Sequence, residues 1–202
     1  MSDRYQNLYN AVSEIGLRGS SHLRMLEVGT YDGVRACQLL RFFLSSNHKR
    51  SASYWGFDLF EEMTKEMTAA ELSKSRLPPA KAEVERRISS IAKTAVQLFK
   101  GNTRDTIPLV APKLPKMDLI FIDGGHSLET IASDWDGVKA CIDPGTIVLF
   151  DDYYENRDDY GCKTLVETVL KQDPAYKVRL LEPLDRVEHT KLDIRMVELR
   201  LA

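Results

Sequence analysis

The chain is poor in three things, and each scarcity narrows what it can be. Cysteine occurs three times, at Cys37, Cys141 and Cys162, an odd set with no close spacing. Each falls in a segment that reads as helical, where cysteine serves as a small buried hydrophobe rather than as half of a disulfide framework. Long apolar runs are missing as well. No stretch approaches membrane-spanning length, and the opening MSDRYQNLYN carries no apolar region. The third scarcity is charge of one sign: 28 Lys and Arg face 30 Asp and Glu, a net of −2. That balance gives no global field toward nucleic acid or an anionic membrane. The expectation is a cytoplasmic protein with a small-molecule partner, no nucleic acid or membrane partner, and room for a homo-oligomer.

What is present is an ordinary globular composition, 43% hydrophobic and 29% charged, over 202 residues. That length fits one domain with a real core. A short helix at about 4–17 leads into an apolar strand at His22–Val28, a glycine-containing turn, and a helix at about 32–44. Further strands are expected at Ser53–Phe57, Ala95–Phe99, Met117–Ile122 and Thr146–Phe150, separated by helical segments. A helix at about 160–171 precedes two closing strand-like segments, Tyr176–Leu181 and Ile194–Leu199. Residues 59–94 are charged and Met-rich, broken by Pro78-Pro79, and are expected to lie outside the sheet, as a lid or as a solvated helical pair.

Strands alternating with helices predict a parallel, doubly wound α/β sheet covered on both faces. Right-handed crossovers then gather the carboxyl ends of the strands on one edge, where such sheets bind ligands. Gly29, Asp58, Gly101, Asp123 and Asp151 stand at those ends. The first turn lets backbone approach a ligand at a helix N-terminus. It fails the dinucleotide fingerprint, because the third and sixth positions counted from Gly29 are Tyr31 and Val34. Asp58 stands where an acid can accept hydrogen bonds from ribose hydroxyls, or can cap a helix.

The pattern Glu27-x-Gly29-x-Tyr31-x-Gly33 resembles motif I of class I S-adenosylmethionine-dependent methyltransferases, with Tyr31 in place of the middle glycine. MDLIFIDGG at 117–125, followed by His126 and by PGTIVLFDD at 144–152, resembles their later motifs. Together they are most similar to the small-molecule O-methyltransferases of the macrocin and mycinose type. The resemblance covers about residues 22–200. It implies a Rossmann-like, mostly parallel seven-stranded sheet with an antiparallel last strand, and S-adenosylmethionine as cofactor. By position Glu27, Gly29 and Gly33 would line the methionine end of the cofactor, and Thr30 and Tyr31 of the same turn would also contact the cofactor. Asp58 would hold the ribose, Gly101, Asn102 and Thr103 would flank the adenine, and Asp123 would sit against the cofactor.

Asp123, Asp151 and Asp152 end neighbouring strands, close enough to repel unless a cation lies between them. Oxygen ligands of this kind suit Mg²⁺, and in metal-dependent O-methyltransferases acids at these positions bind that ion. The alternative is that Asp123 touches only the cofactor while Asp151 and Asp152 cap the next segment. His126 reaches the same rim and is expected to act as general base on an acceptor hydroxyl, with Asp123 beside it, the alternative being a structural hydrogen-bonder at a helix start. Three other functions stay open: methyl transfer to nitrogen or to a macromolecule, cofactor binding without catalysis, and an NAD or nucleotide-sugar reaction.

Overall fold

The computed structural model describes residues 3–71, 77–188 and 191–202. Its sheet rests on an alternation visible in one short strand. In β4 (Leu119–Ile122), Leu119 and Phe121 point to one face and Ile120 and Ile122 to the other. All four are buried, as expected of a strand covered on both sides. The flanking strands β1 (His22–Val28) and β5 (Ile147–Tyr154) pair with it in parallel. Beyond β1 lie β2 (Ser51–Asp58) and β3 (Thr94–Lys100), again parallel.

Helices α1 (Gln6–Leu17), α2 (Val34–Ser45) and α4 (Lys81–Ser89) cover one face through Leu8, Val12, Leu40, Phe43, Val84 and Ile88. The other face is covered by α5 (Thr103–Val110), α6 (Leu128–Val138) and α7 (Lys163–Thr168), with Trp135 and Phe150 in tilted ring contact at 5.6 Å. Each fully buried large side chain contributes roughly 1.5–3 kcal/mol, so these two layers are the main source of stability.

The sheet closes with a reversal. β8 (Leu192–Leu201) inserts antiparallel between β5 and β6 (Tyr176–Leu180), in the order β3-β2-β1-β4-β5-β8-β6. Seven strands form this path, as expected, but the described sheet has eight. The extra strand is β7 (Asp185–Val187), which pairs with the first residues of β8 because only Val197–Leu201 are taken by β6. The described residues of 59–94 stay outside the sheet apart from Thr94, the first residue of β3. They form a turn at Phe60–Glu62, α3 (Lys65–Ala70) and α4; the part of that expected lid at 72–76 lies outside the described residues. Among the described residues no helix is long and apolar enough to cross a membrane.

One expected strand end is corrected. β5 does not stop at Phe150 but runs on through Asp151 and Asp152 to Tyr154, because β8 continues to pair with it past a register shift between Phe150 and Tyr153. Asp152 takes a left-handed conformation there, φ 60°. A bulge of this kind re-aims side chains, and it brings Asp151 and Asp152, which a regular strand would point to opposite faces, to one cleft.

Candidate active site

Strand order reverses between β1 and β4, and a cleft of about 960 Å³ opens at their carboxyl ends. The turn after β1 forms its floor. Gly29 has φ 89°, and a Cβ there would lie 1.9 Å from the Asp123 carbonyl oxygen, so no other residue fits. Tyr31, where the motif has glycine, keeps a left-handed φ of 52°. Asp58 holds that turn: its Oδ2 accepts the Tyr31 N–H at 2.7 Å and its Oδ1 accepts the Phe60 N–H at 2.7 Å. Burial pushes the Asp58 carboxyl up, and these backbone donors oppose the shift. Gly33, φ 71°, then starts α2.

Under the turn, Glu27 is 1% exposed and accepts a hydrogen bond from the Tyr54 hydroxyl, which also reaches Thr30 Oγ1 at 3.2 Å. Burial pushes Glu27 up to about 7. Asn102 caps α5, its Oδ1 accepting the Arg104 N–H at 3.0 Å, and with Thr103 it walls one end of the cleft. Of the residues expected to contact a cofactor, all but Gly33 and Gly101 line the cleft.

At the other end lie the acids. The Asp123 carboxylate pairs with Arg35 of α2, while burial and the neighbouring Asp151 raise its proton affinity well above the usual range. His126 Nε2 lies 2.9 Å from Asp152 Oδ2, and His126 Nδ1 is buried with no hydrogen-bond partner among the described residues. Burial opposes the charged imidazole, but Asp152, Asp123 and Asp151 outweigh it and bring His126 up to about 9. Burial likewise opposes ionisation of Asp152, yet the His126 pairing holds it below the ordinary carboxylate range.

The oxygen-only trio expected to share Mg²⁺ does not assemble. Single ligand atoms of Asp123, His126 and Asp152 come within 4.8 Å of one another. Asp151 is instead directed to Arg4 and Tyr5. Two oxygens and an imidazole nitrogen, two of them in an ion pair, are a poor match for a hard octahedral cation.

Among the cleft residues that escaped the sequence reading, Arg4, Tyr5, Arg35 and Glu71 carry charge or a hydroxyl to the site. The signal that could have found the arginines is the unbalanced charge of three clustered acids, which demands cations from somewhere. The Glu71 carboxylate reaches from the end of α3 to the start of α6, accepting the Ser127 N–H at 2.6 Å and the Thr130 hydroxyl at 2.9 Å.

The sequence matches, over residues 26–153, the model of a family described as a methyltransferase domain. No curated protein sequence matches the chain. Solved structures of similar fold include the O-methyltransferase NovP, at 22% identity and TM-score 0.69, covering 98% of this chain and 79% of that one. An rRNA methylase from Streptococcus thermophilus is similar at 11% identity and TM-score 0.63, covering 100% and 98%. The Podospora anserina methyltransferase PaMTH1, solved with S-adenosylhomocysteine bound, is similar at 19% identity and TM-score 0.58, covering 100% and 80%. The glycine that tolerates no Cβ, the cleft at the point of strand reversal and the family match over more than half of the chain agree: this protein belongs to the methyltransferase domain family and is an S-adenosylmethionine-dependent methyltransferase.

Proposed function

We propose that the chain methylates a hydroxyl oxygen of a small molecule. The observation that carries this reading is the His126–Asp152 pair at the rim of the cofactor cleft. A hydroxyl must lose its proton as it attacks, whereas a neutral amine attacks without losing one, so a built-in proton acceptor favours an oxygen acceptor. Asp152 fixes the imidazole through Nε2 and stabilises its charged form, leaving Nδ1 to receive the proton. Asp123 lies beside the pair, held by Arg35.

The cleft residues fit the cofactor: Gly29 lets backbone approach it, Glu27, Thr30, Tyr31 and Gly33 shape the methionine end, Asp58 is placed for the ribose, and Asn102 and Thr103 flank the adenine end. When bound, S-adenosylmethionine supplies an activated methyl group on sulfur. The acceptor's proton passes to His126, and S-adenosylhomocysteine leaves. The rest of the rate comes from holding the acceptor in line, for which positioning alone is powerful.

NovP, an O-methyltransferase that shares this fold, supports the oxygen acceptor, and the 123–126 and 151–152 motifs support the finer likeness to the macrocin and mycinose type. A macromolecular acceptor is the second reading, favoured by the fold shared with an rRNA methylase; the net charge of −2 weighs against it. We place the protein in the cytoplasm, where its three buried free cysteines stay reduced. Mg²⁺ carries no step in this proposal, because the donor set does not fit it. The test is methyl transfer from labelled S-adenosylmethionine to a panel of small phenols, sugars and amines, with RNA alongside. Labelled O-methyl products support the proposal, and products only on amines or on RNA overturn it.

A further inference from the structure

Asp151 is the most completely satisfied of the three rim acids. Its Oδ1 accepts Arg4 Nε at 2.7 Å and the Asp152 N–H at 2.9 Å. Its Oδ2 accepts Arg4 Nη2 at 3.0 Å and the Tyr5 hydroxyl at 2.8 Å. A carboxylate offers about four lone-pair directions, and these four donors use them all. Both partners are buried, Arg4 to 8% and Asp151 to 3% exposure, and Arg4 Nη1 continues to Asp185 at 2.9 Å. The neighbouring Tyr5 ring lies under the Arg35 guanidinium at 3.8 Å, and Arg35 in turn pairs with Asp123. The start of the chain thus delivers cationic and hydroxyl donors to the acidic rim from one side.

We infer that Arg4 is a built-in cation of the active site: its guanidinium occupies at Asp151 the role that a divalent ion would otherwise have among Asp123, Asp151 and Asp152, so that the rim needs no bound metal. A planar fork matches a carboxylate in two parallel hydrogen bonds. A metal entering here would have to break that fork and take from a buried guanidinium its two hydrogen bonds to Asp151, leaving Asp185 as its remaining carboxylate, which is unfavourable. Arg4 is therefore a positioning residue. It fixes the Asp151 carboxylate and steadies the bulge from which Asp152 reaches His126. This inference rests on the ion-pair geometry and does not depend on the proposed acceptor.

The experiment is a titration of the full chain with Mn²⁺, read by electron paramagnetic resonance, with the protein free and then saturated with S-adenosylhomocysteine. Wild-type protein is expected to bind no stoichiometric Mn²⁺ in either state, and its melting temperature is expected to be the same in chelator and in Mg²⁺. Arg4→Met empties the fork and is expected to bind Mn²⁺ about tenfold or more tighter than wild type, with part of its lost melting temperature restored by the ion. Arg4→Lys keeps the charge and is expected to gain no site. One Mn²⁺ bound per wild-type chain, lost in Asp151→Asn, overturns the inference. So does a folded Arg4→Met protein with no gain in affinity. If Arg4→Met fails to fold, the wild-type titration decides alone. None of these readouts involves methyl transfer, so a wrong acceptor class leaves them unaffected.

Discussion

The Glu71 carboxylate accepts the backbone N–H of Ser127 at 2.6 Å, and by that bond the end of α3 is tied to the start of α6 across the cleft. The bond places a negative charge at a helix N-terminus, where the exposed N–H groups and the helix dipole favour it. The Tyr160 hydroxyl adds a second tie, donating to the Ala70 carbonyl at 3.1 Å. Met63 and Met67, from the same segment, line the cleft beneath.

Cutting that tie is expected to loosen cofactor retention. Glu71→Ala removes three acceptor contacts from a half-buried carboxylate. A loss of about 1.5 kcal/mol, the lower end for hydrogen bonds involving a charge, corresponds to roughly a tenfold faster release of S-adenosylhomocysteine. Stopped-flow dissociation measures it. An unchanged release rate in a folded variant shows that α3 does not act as a lid.

Asp58 serves two turns at once, so its replacement is expected to reach the cofactor both directly and through Tyr31. Asp58→Ala should weaken binding of S-adenosylhomocysteine by about 1–3 kcal/mol, the scale for hydrogen bonds to a charged group. Calorimetry gives the value. Binding equal to wild type would remove Asp58 from the cofactor site.

The pH profile reports His126. Its conjugate acid is stabilised to about 9 by Asp152 and its neighbours, so the basic form grows as pH rises from 7 toward 9. Turnover at saturating substrates should therefore climb with pH and level off near that value. Asp152→Asn removes the partner that raises the pKa, so the rise should move to lower pH while the plateau falls. His126→Ala should lower turnover and leave S-adenosylhomocysteine affinity near wild type. A flat profile in wild type, unchanged in Asp152→Asn, contradicts a base role for His126.

The same pair has a stability signature. Because the folded state raises the His126 pKa above the ordinary 6.5, its contribution is fully present below about pH 6.5 and fades as pH rises through 9. Wild type should lose more of its stability over that interval than Asp152→Asn does, as measured by urea unfolding at each pH. Equal losses in the two proteins would separate the pair from stability.

Gly29→Ala is expected to be severe. The added Cβ would lie 1.9 Å from the Asp123 carbonyl oxygen in a backbone conformation that L side chains rarely adopt. Losses of about 3 kcal/mol or more are the scale for combined strain and overpacking. Chemical denaturation measures the loss, and a variant as stable as wild type would mean that the turn re-forms elsewhere.

Much of the architecture is local and was therefore legible in the sequence. The apolar run ending at Asp123, the glycine turn after Val28 and the acid after Phe57 each declare themselves within a few residues, because strand burial and left-handed turns are demands on neighbouring positions. That is why the parallel α/β core and the placement of Gly29, Asp58 and Asp123 on one rim could be anticipated. Tyr31 is an instructive case: it breaks the glycine pattern, yet the turn survives because Asp58, 27 positions away, accepts its N–H.

What the sequence could not decide was how the acids divide their partners. Asp151 and Asp152 read as two equivalent carboxylates at a strand end. Only the pairing of β8 with β5 places them on a bulge, and only the packing of the chain's start against that bulge sends Asp151 to Arg4, 147 positions away, while Asp152 takes His126. The energy of an ion pair depends on separation and burial, and both are properties of the assembled fold. The residue types that make a rim of acids are set by local sequence; which cation neutralises each one is decided by tertiary structure.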